Sequence, residues 1–138
     1  MGPPMKSVRK VRVAIATDMD VARTILHARR ISADLGFGVP EQNRVATAAS
    51  ELARNILKYA GTGHVTVSPL EYGGRTGVEI VAEDRGPGIA DIELAIKDRY
   101  SSGGTLGLGL PGVRRLMDVF KIESTPGQGT RVVAQKLR

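Results

Sequence analysis

Three polar side chains share one stripe of a predicted helix near the middle of the chain. Glu51, Asn55 and Lys58 follow one another at spacings of four and three residues, so they lie on one side of that helix. A carboxylate, an amide and an ammonium in this order could serve as general base, magnesium ligand and phosphate contact. The same stripe is also typical of a solvated helix face with a Glu51–Asn55 side-chain pair, and the helix alone does not decide between the two.

A second candidate is the carboxylate of Asp84, at the end of a predicted strand. Alternation along this strand places four side chains on the face that lies under the helices: Val78, Ile80, Ala82 and Asp84. A buried carboxylate needs hydrogen-bond donors, and the glycines Gly86 and Gly88 leave room for a ligand's amino group to supply one. Alternatively, Asp84 accepts a hydrogen bond from its own turn, which is a common use of Asp.

Glycines open a third predicted element, in the run Thr105-Leu106-Gly107-Leu108-Gly109. They stand directly before and within the first turn of a predicted helix, where exposed amides form a cradle for anions such as phosphate. No Gly-Lys-Ser/Thr follows, as a P-loop would require, and no strand precedes them, as a dinucleotide-binding fingerprint would require. On its own, this run is weak evidence, and a flexible loop is the more common explanation of such glycines.

Composition narrows the classes of function. The chain has 138 residues, no cysteine and a formal net charge of +6, so we expect one domain without disulfides, thiolate metal sites or a Cys nucleophile. The basic residues are scattered and few aromatic residues accompany them, which favours a polyphosphate ligand or an acidic partner over nucleic acid. No apolar run approaches the ~20 residues of a membrane span, and no signal-peptide pattern opens the chain. We therefore expect a cytoplasmic protein that binds neither nucleic acid nor membrane.

The elements that position these residues follow the order strand, two helices, hairpin, helix, helix, hairpin. Strands are predicted over 8–17, 65–68, 78–83, 120–124 and 130–136. Helices are predicted over 18–35, with Asp18 or Asp20 as the cap, and over 40–60, 91–98 and 108–119. The apolar face of the second helix consists of Val45, Ala49, Leu52 and Ile56. The expected fold is α+β, a two-layer α/β sandwich with a mixed, mostly antiparallel sheet and helices on one face. We expect a single domain over 1–138 and leave the first five residues out of the fold prediction.

Taken together, the three segments resemble the N, G1 and G2 boxes of the GHKL ATPases. The boxes are Glu51–Ala60, Glu83–Ile89 and Thr105–Gly112, and Gly127–Thr130 is similar to the last motif of that family. The resemblance covers Val11 to Leu137 with every box in order. It implies the Bergerat fold, in which ATP or ADP binds with Mg²⁺ between the helices and the sheet.

The resemblance also implies a role for each motif residue. Asp84 would accept a hydrogen bond from the adenine amino group, Gly86 and Gly88 would let the chain pass close to the base, and Thr130 would lie near it. Asn55 would bind Mg²⁺. The other implied nucleotide-binding residues are Lys58, Ile89, Thr105, Leu106, Gly107, Leu108 and Gly109.

Two features of the third box need separate mention. The segment 91–106 would form a lid over the nucleotide. Leu106 stands where many relatives carry Thr or Ser, so the resemblance does not imply a side-chain phosphate contact there.

The length of the chain favours one branch of the family, the stand-alone serine/threonine kinases, in which Glu51 would be the base acting on a protein hydroxyl. Several stretches, including 59–63, 82–89 and 109–118, are similar to RsbT-type switch kinases of the bacterial stressosome. That similarity implies phosphorylation of STAS-domain antagonist and scaffold proteins (RsbS- and RsbR-like), followed by activation of an RsbU-type phosphatase. The alternative is an anti-sigma-factor-like regulator of the RsbW or SpoIIAB type, which would act mainly by binding a protein.

Overall fold

A computed structural model describes residues 8–89 and 109–138, which form a sheet with helices packed on one face. The strands are β1 (Val11–Ile15), β2 (Gly63–Tyr72), β3 (Arg75–Asp84), β4 (Val119–Thr125) and β5 (Gly129–Leu137). The helices are α1 (Asp18–Asp34), α2 (Val39–Tyr59) and α3 (Gly109–Leu116). The strand order is β1-β2-β3-β5-β4, and each neighbouring pair is antiparallel. The α+β two-layer sandwich is confirmed, and the described part of the sheet contains no parallel pair.

Helix α2 carries the face that closes the core over the sheet. Its predicted apolar residues Val45, Ala49, Leu52 and Ile56 are all buried, which confirms the periodicity. The helix begins after Gly38, with Pro40 in its first turn, where the missing amide hydrogen of proline costs no helical hydrogen bond. Because α2 lies against the sheet along this face, its neighbouring stripe lies at the edge of the core.

Helix α1 begins differently from the prediction. Its N-cap is Thr17, in extended backbone conformation, and neither Asp18 nor Asp20 holds that position. Asp20 stands in the third helical position and reaches back, so that its Oδ2 accepts hydrogen bonds from the amides of Ala16 and Thr17, both at 2.9 Å. The predicted cap was wrong because the chain already turns into the helix at Asp18. The amide hydrogen bonds, first from Ala16 and then from Thr17, lower the pKa of Asp20.

The hairpin of β2 and β3 is longer than predicted. Its ten residue pairs run from Gly63–Asp84 to Tyr72–Arg75. Gly73 and Gly74 both have positive φ, as a two-residue hairpin turn requires. Strand pairing therefore continues up to this turn, although the residues next to the turn do not alternate between polar and apolar. The extension at the other end places Gly63 directly opposite Asp84.

The C-terminal elements also differ in their bounds. Helix α3 ends at Leu116, and Val119, predicted to end this helix, begins β4 opposite Gln135. The chain leaves the helix there because Asp118 donates its amide to the Gln135 carbonyl at 2.8 Å, and its carboxylate accepts the Leu137 amide at 2.7 Å. The predicted helix over 91–98 lies outside the described residues. Within those residues no helix has the length and apolar character needed to cross a membrane.

Candidate functional site

Three polar side chains lie on neighbouring strands at one end of the sheet. Asp84 of β3 is directly opposite Thr130 of β5, and Thr130 is in turn opposite Ser124 of β4. The hydroxyl oxygens of Thr130 and Ser124 are 2.8 Å apart and share a hydrogen bond. The structure thus brings Asp84 and Thr130 together, although 46 positions separate them in the sequence.

Asp84 is half-buried, and one of its oxygens is engaged by its own turn. The Gly86 amide donates to Oδ1 at 2.9 Å, which is the turn contact that the sequence left open as an alternative. That hydrogen bond does not involve Oδ2. On the β2 side, Gly63 faces Asp84 without a side chain, and a Cβ there would lie 3.2 Å from the Asp84 Cβ and 2.9 Å from the Ile56 Cγ2. The glycine therefore allows α2, β2 and β3 to pack closely beside the carboxylate.

The turn after Asp84 is packed so tightly that its glycines cannot be replaced without movement. A Cβ on Gly86 would lie 2.6 Å from the Cβ of Ala60, at the end of α2. Gly88 has φ +77°, and a Cβ there would lie 2.5 Å from the carbonyl oxygen of Thr125. The close packing of this turn against Ala60 and Thr125 therefore requires both glycines. Their closeness to a bound adenine remains a prediction.

Ser124 is a further candidate site residue, which the sequence motifs did not indicate. Its hydroxyl oxygen accepts a hydrogen bond from the Ile89 amide at 2.6 Å and also contacts Thr130. It therefore joins the end of the turn 85–89 to β5. Since a serine in a strand is common, only the register of β4 and β5 distinguishes this one.

Glu51 lies at the N-terminus of α3. Its Oε2 accepts a hydrogen bond from the Gly109 amide at 3.2 Å, and its Oε1 lies 3.8 Å from the Arg54 guanidinium. The residue is 8% exposed, so it does not belong to a solvated helix face. A carboxylate is favourable here because the N-terminus of a helix carries partial positive charge. The predicted base and one predicted phosphate-binding amide are therefore in direct contact.

Asn55 and Lys58 continue the stripe from Glu51 toward solvent. Asn55, one turn further along α2, is half-buried, whereas Lys58 is exposed. The Lys58 Nζ lies 5.2 Å from the centre of the Tyr59 ring, within range of a cation–π interaction. The stripe therefore combines a buried carboxylate with an exposed ammonium, and the contact of Lys58 with phosphate remains a prediction.

The oxygen atoms of this site are compatible with Mg²⁺ that is bound mainly by the phosphates of a nucleotide. Among the described residues, no three His, Cys, Asp or Glu side chains are grouped so that they could hold a metal ion by themselves. Mg²⁺ commonly takes one or two protein oxygens and completes its shell with water and phosphate. The side-chain oxygen of Asn55 fits that role, beside the carboxylate of Glu51.

Part of the predicted phosphate site falls outside the described part of the chain. Thr105, Leu106, Gly107, Leu108 and the predicted lid over 91–106 lie outside the described residues. Of the third box, Gly109 is placed at the first position of α3, with φ +59°, followed by the buried Leu110.

Comparison with protein families supplies an independent finding. Residues 41–138 match the model of the histidine kinase-, DNA gyrase B- and HSP90-like ATPases, which is more than half of the chain. The fold is also similar to that of a mycobacterial sensor histidine kinase, MprB, with a TM-score of 0.55 and 21% identity over 92% of this chain and 97% of that one. At this identity the likeness concerns the fold alone.

Two groups of curated relatives are similar over most of their length. The serine/threonine-protein kinase RsbT of Bacillus subtilis is 46% identical over 124 residues, which cover 90% of this chain and 93% of the relative. An anti-sigma F factor of a Thermoanaerobacter species is 31% identical over 117 residues, which cover 80% and 79% of the two chains. The two groups correspond to the two alternatives that the sequence left open.

Proposed function

This chain belongs to the family of histidine kinase-, DNA gyrase B- and HSP90-like ATPases, and we propose that it is a protein serine/threonine kinase that uses ATP. The kinase class is supported by 46% identity to a relative of that name over nine-tenths of the chain. In the proposed reaction, the γ-phosphoryl group of ATP passes to a serine or threonine hydroxyl of a STAS-domain protein.

The observation that carries this proposal is the contact between Glu51 and Gly109. A general base must lie within hydrogen-bond distance of the hydroxyl that attacks the phosphate. Glu51 Oε2 is 3.2 Å from the Gly109 amide, where a phosphate oxygen could accept the same hydrogen bond. If the Gly109 amide binds phosphate, Glu51 lies close enough to reach a hydroxyl that attacks this phosphate.

The other end of the site supports recognition of adenine. The amino group of adenine is a donor, and Asp84 Oδ2 is an acceptor that is not engaged by the hydrogen bond from Gly86. Thr130, opposite Asp84, has its hydroxyl held by Ser124. Asp84 and Thr130 could therefore bind the base while the turn 85–89 passes beside it.

Charge neutralisation accounts for most of the chemistry in this mechanism. Mg²⁺, when bound at Asn55, would offset negative charge on the phosphates. The positive end of α3 and the Gly109 amide would offset more of it. Glu51 would leave the amide, accept the proton of the incoming hydroxyl and align it. Arg54 restrains this movement little, because its guanidinium is mostly exposed and lies 3.8 Å from Glu51.

The proposed partners follow from the RsbT-type similarity. They are the RsbS- and RsbR-like STAS-domain proteins as substrates and an RsbU-type phosphatase that the released kinase activates. We place this reaction in the cytoplasm. Within the proposal, the substrate hydroxyl approaches Glu51 at the N-terminus of α3.

The direct test is phosphate transfer from radiolabelled ATP to a purified STAS-domain protein, in the presence of Mg²⁺. We expect label on a serine or threonine of the STAS protein. Asn55→Ala should weaken Mg-ATP binding and so reduce labelling, whereas Asn43→Ala, an amide on the same helix far from Glu51, should not. If ATP binds but no STAS protein is labelled, the kinase proposal is wrong.

A second function has its own support, because anti-sigma F factors are similar to this chain over four-fifths of its length. A regulator of this kind would use ATP mainly to set the shape of a protein-binding surface. It would retain ATP intact when mixed with STAS-domain proteins and would form a stable complex with a sigma factor. Copurification with a sigma factor, without phosphate transfer, would favour it over the kinase.

A further inference from the structure

Ser124 joins two parts of the candidate site through a single hydroxyl group. Its Oγ accepts a hydrogen bond from the Ile89 amide at 2.6 Å, and it lies 2.8 Å from the Thr130 Oγ1 and 3.2 Å from the Gly129 carbonyl oxygen. Ser124 and Thr130 are register partners, so the pairing of β4 with β5 maintains their contact. The side chain therefore connects the end of the turn 85–89 to the strand that carries Thr130.

The number of available protons determines the direction of these hydrogen bonds. A serine hydroxyl has one proton to donate and two lone pairs that accept. The Ile89 amide can only donate, and the Gly129 carbonyl can only accept. The contacts are therefore satisfied together when Ser124 donates to Gly129 and accepts from both Ile89 and Thr130. In this arrangement the proton of Thr130 is already used, and the lone pairs of its hydroxyl oxygen remain available.

Thr130 in this state is a second hydrogen-bond acceptor beside Asp84. The two residues are directly opposite each other on β5 and β3, and the Cβ atoms of such a pair lie about 4.5–5.5 Å apart. The Oδ2 of Asp84 is not engaged by the hydrogen bond that the Gly86 amide donates to Oδ1. Two neighbouring acceptors match an amino group with its two hydrogens, whereas a ring nitrogen or a carbonyl of a ligand would need a donor.

We infer that Ser124 is a positioning residue for base recognition. It takes the proton of Thr130, so that Thr130 accepts a hydrogen bond from the amino group of the bound base. The inference rests on the proposed use of ATP, because adenine carries such an amino group. Ser124 has a second effect, because its hydrogen bond with the Ile89 amide holds the end of the turn 85–89. It acts through these two neighbours and needs no contact with the nucleotide.

The test compares two nucleotides by calorimetry on the full chain, in the presence of Mg²⁺. The nucleotides are ATP and purine riboside 5′-triphosphate, which lacks the amino group. In Ser124→Ala the Thr130 hydroxyl is free to rotate and to donate, so the preference for ATP, taken as the ratio of the two dissociation constants, should fall about threefold or more. Ser124→Thr keeps the hydroxyl and should restore most of this preference.

Further variants show through which neighbour Ser124 acts. Thr130→Val should lower the preference for ATP, and adding Ser124→Ala to it should lower the preference no further, because both changes remove the same hydrogen bond. Ser68→Ala makes the same substitution at another half-buried strand position, away from Asp84, and should leave the preference unchanged. Without nucleotide, hydrogen exchange of the Ile89 amide should be faster in Ser124→Ala, while exchange of the Val132 amide stays slow and shows that the sheet is intact.

Two results would overturn the inference while the proposed function stands. Equal losses of affinity for both nucleotides in Ser124→Ala would show a purely structural role, and a further fall of the preference in the double variant would show that Ser124 does not act through Thr130. Absence of ATP binding by the wild type would instead overturn the proposed function and this inference together. ATP binding without phosphate transfer would overturn only the kinase proposal, because the preference for ATP is measured by binding.

Discussion

Replacing Glu51 by glutamine tests whether this carboxylate is the base. The side chain keeps its shape and an acceptor for the Gly109 amide, but it loses the oxygen that accepts a proton. General-base contributions are typically 10²–10⁴-fold, so kcat for phosphorylation of a STAS-domain substrate should fall by about that factor.

The contact between Glu51 and Gly109 also implies two side effects of the substitution. The hydrogen bond from Gly109 changes from charge-assisted to neutral, and the free energy of unfolding should fall by about 1 kcal/mol. A phosphate and Glu51 compete for the same amide, and a carboxylate at a helix N-terminus is stabilised by about 0.3–1 kcal/mol. Removal of the charge should therefore leave ATP affinity unchanged or raise it by about two- to fivefold. Lower activity with equal or tighter ATP binding identifies a role in the chemical step.

The assay measures single-turnover phosphate transfer, ATP affinity by calorimetry and unfolding by urea. Glu71→Gln is the matched control, because it removes the same charge at the exposed end of β2 and should change none of the three quantities. Transfer at the wild-type rate in Glu51→Gln would refute the base assignment. A loss of ATP affinity equal to the loss of rate would show that Glu51 acts on the nucleotide instead.

Three further predictions concern the rest of the molecule. Mg-ATP should raise the melting temperature of the wild type. Asp84→Asn should remove most of this shift, because the asparagine amide can present NH₂ where adenine needs an acceptor. An undiminished shift in this variant would exclude Asp84 from binding adenine. Gly129→Ala should lower the free energy of unfolding by more than about 2 kcal/mol, because Gly129 has φ +125° and an added Cβ would collide with the Asp84 carbonyl oxygen. The control Gly73→Ala should cost only about 1 kcal/mol, because Gly73 has φ +56° and open space around it. Equal losses in urea unfolding would contradict this prediction. The lowered pKa of Asp20 stabilises the folded protein at pH values above 3.8, its ordinary pKa, and this stabilisation is lost as the pH falls through the lower pKa of the folded state. Asp20→Asn should therefore make the free energy of unfolding less dependent on acid pH. An unchanged pH profile would show that other carboxylates cause the dependence.

Local pattern was sufficient for the type and order of the elements within 8–89 and 109–138, and for the faces that α2 and β3 present. The spacing of Val45, Ala49, Leu52 and Ile56 identified the buried side of α2, and alternation along β3 placed Asp84 on the helix-facing side. Both follow from the fixed periods of helices and strands, which depend only on the backbone. Element ends were less predictable, since Gly63 joined β2 and Val119 joined β4 through pairing with distant strands.

What the sequence by itself determined was therefore the list of chemical groups and the order of the motifs. Tertiary structure alone decided which of these groups meet. Ser124 became a partner of Ile89 and Thr130 through the register of β4 and β5, which no local spacing records. Glu51 reached the amide of Gly109 across 58 positions because α3 packs on α2. Contacts at such separations depend on how whole elements pack, and the energy that selects one packing is spread over the core rather than stored in any short motif.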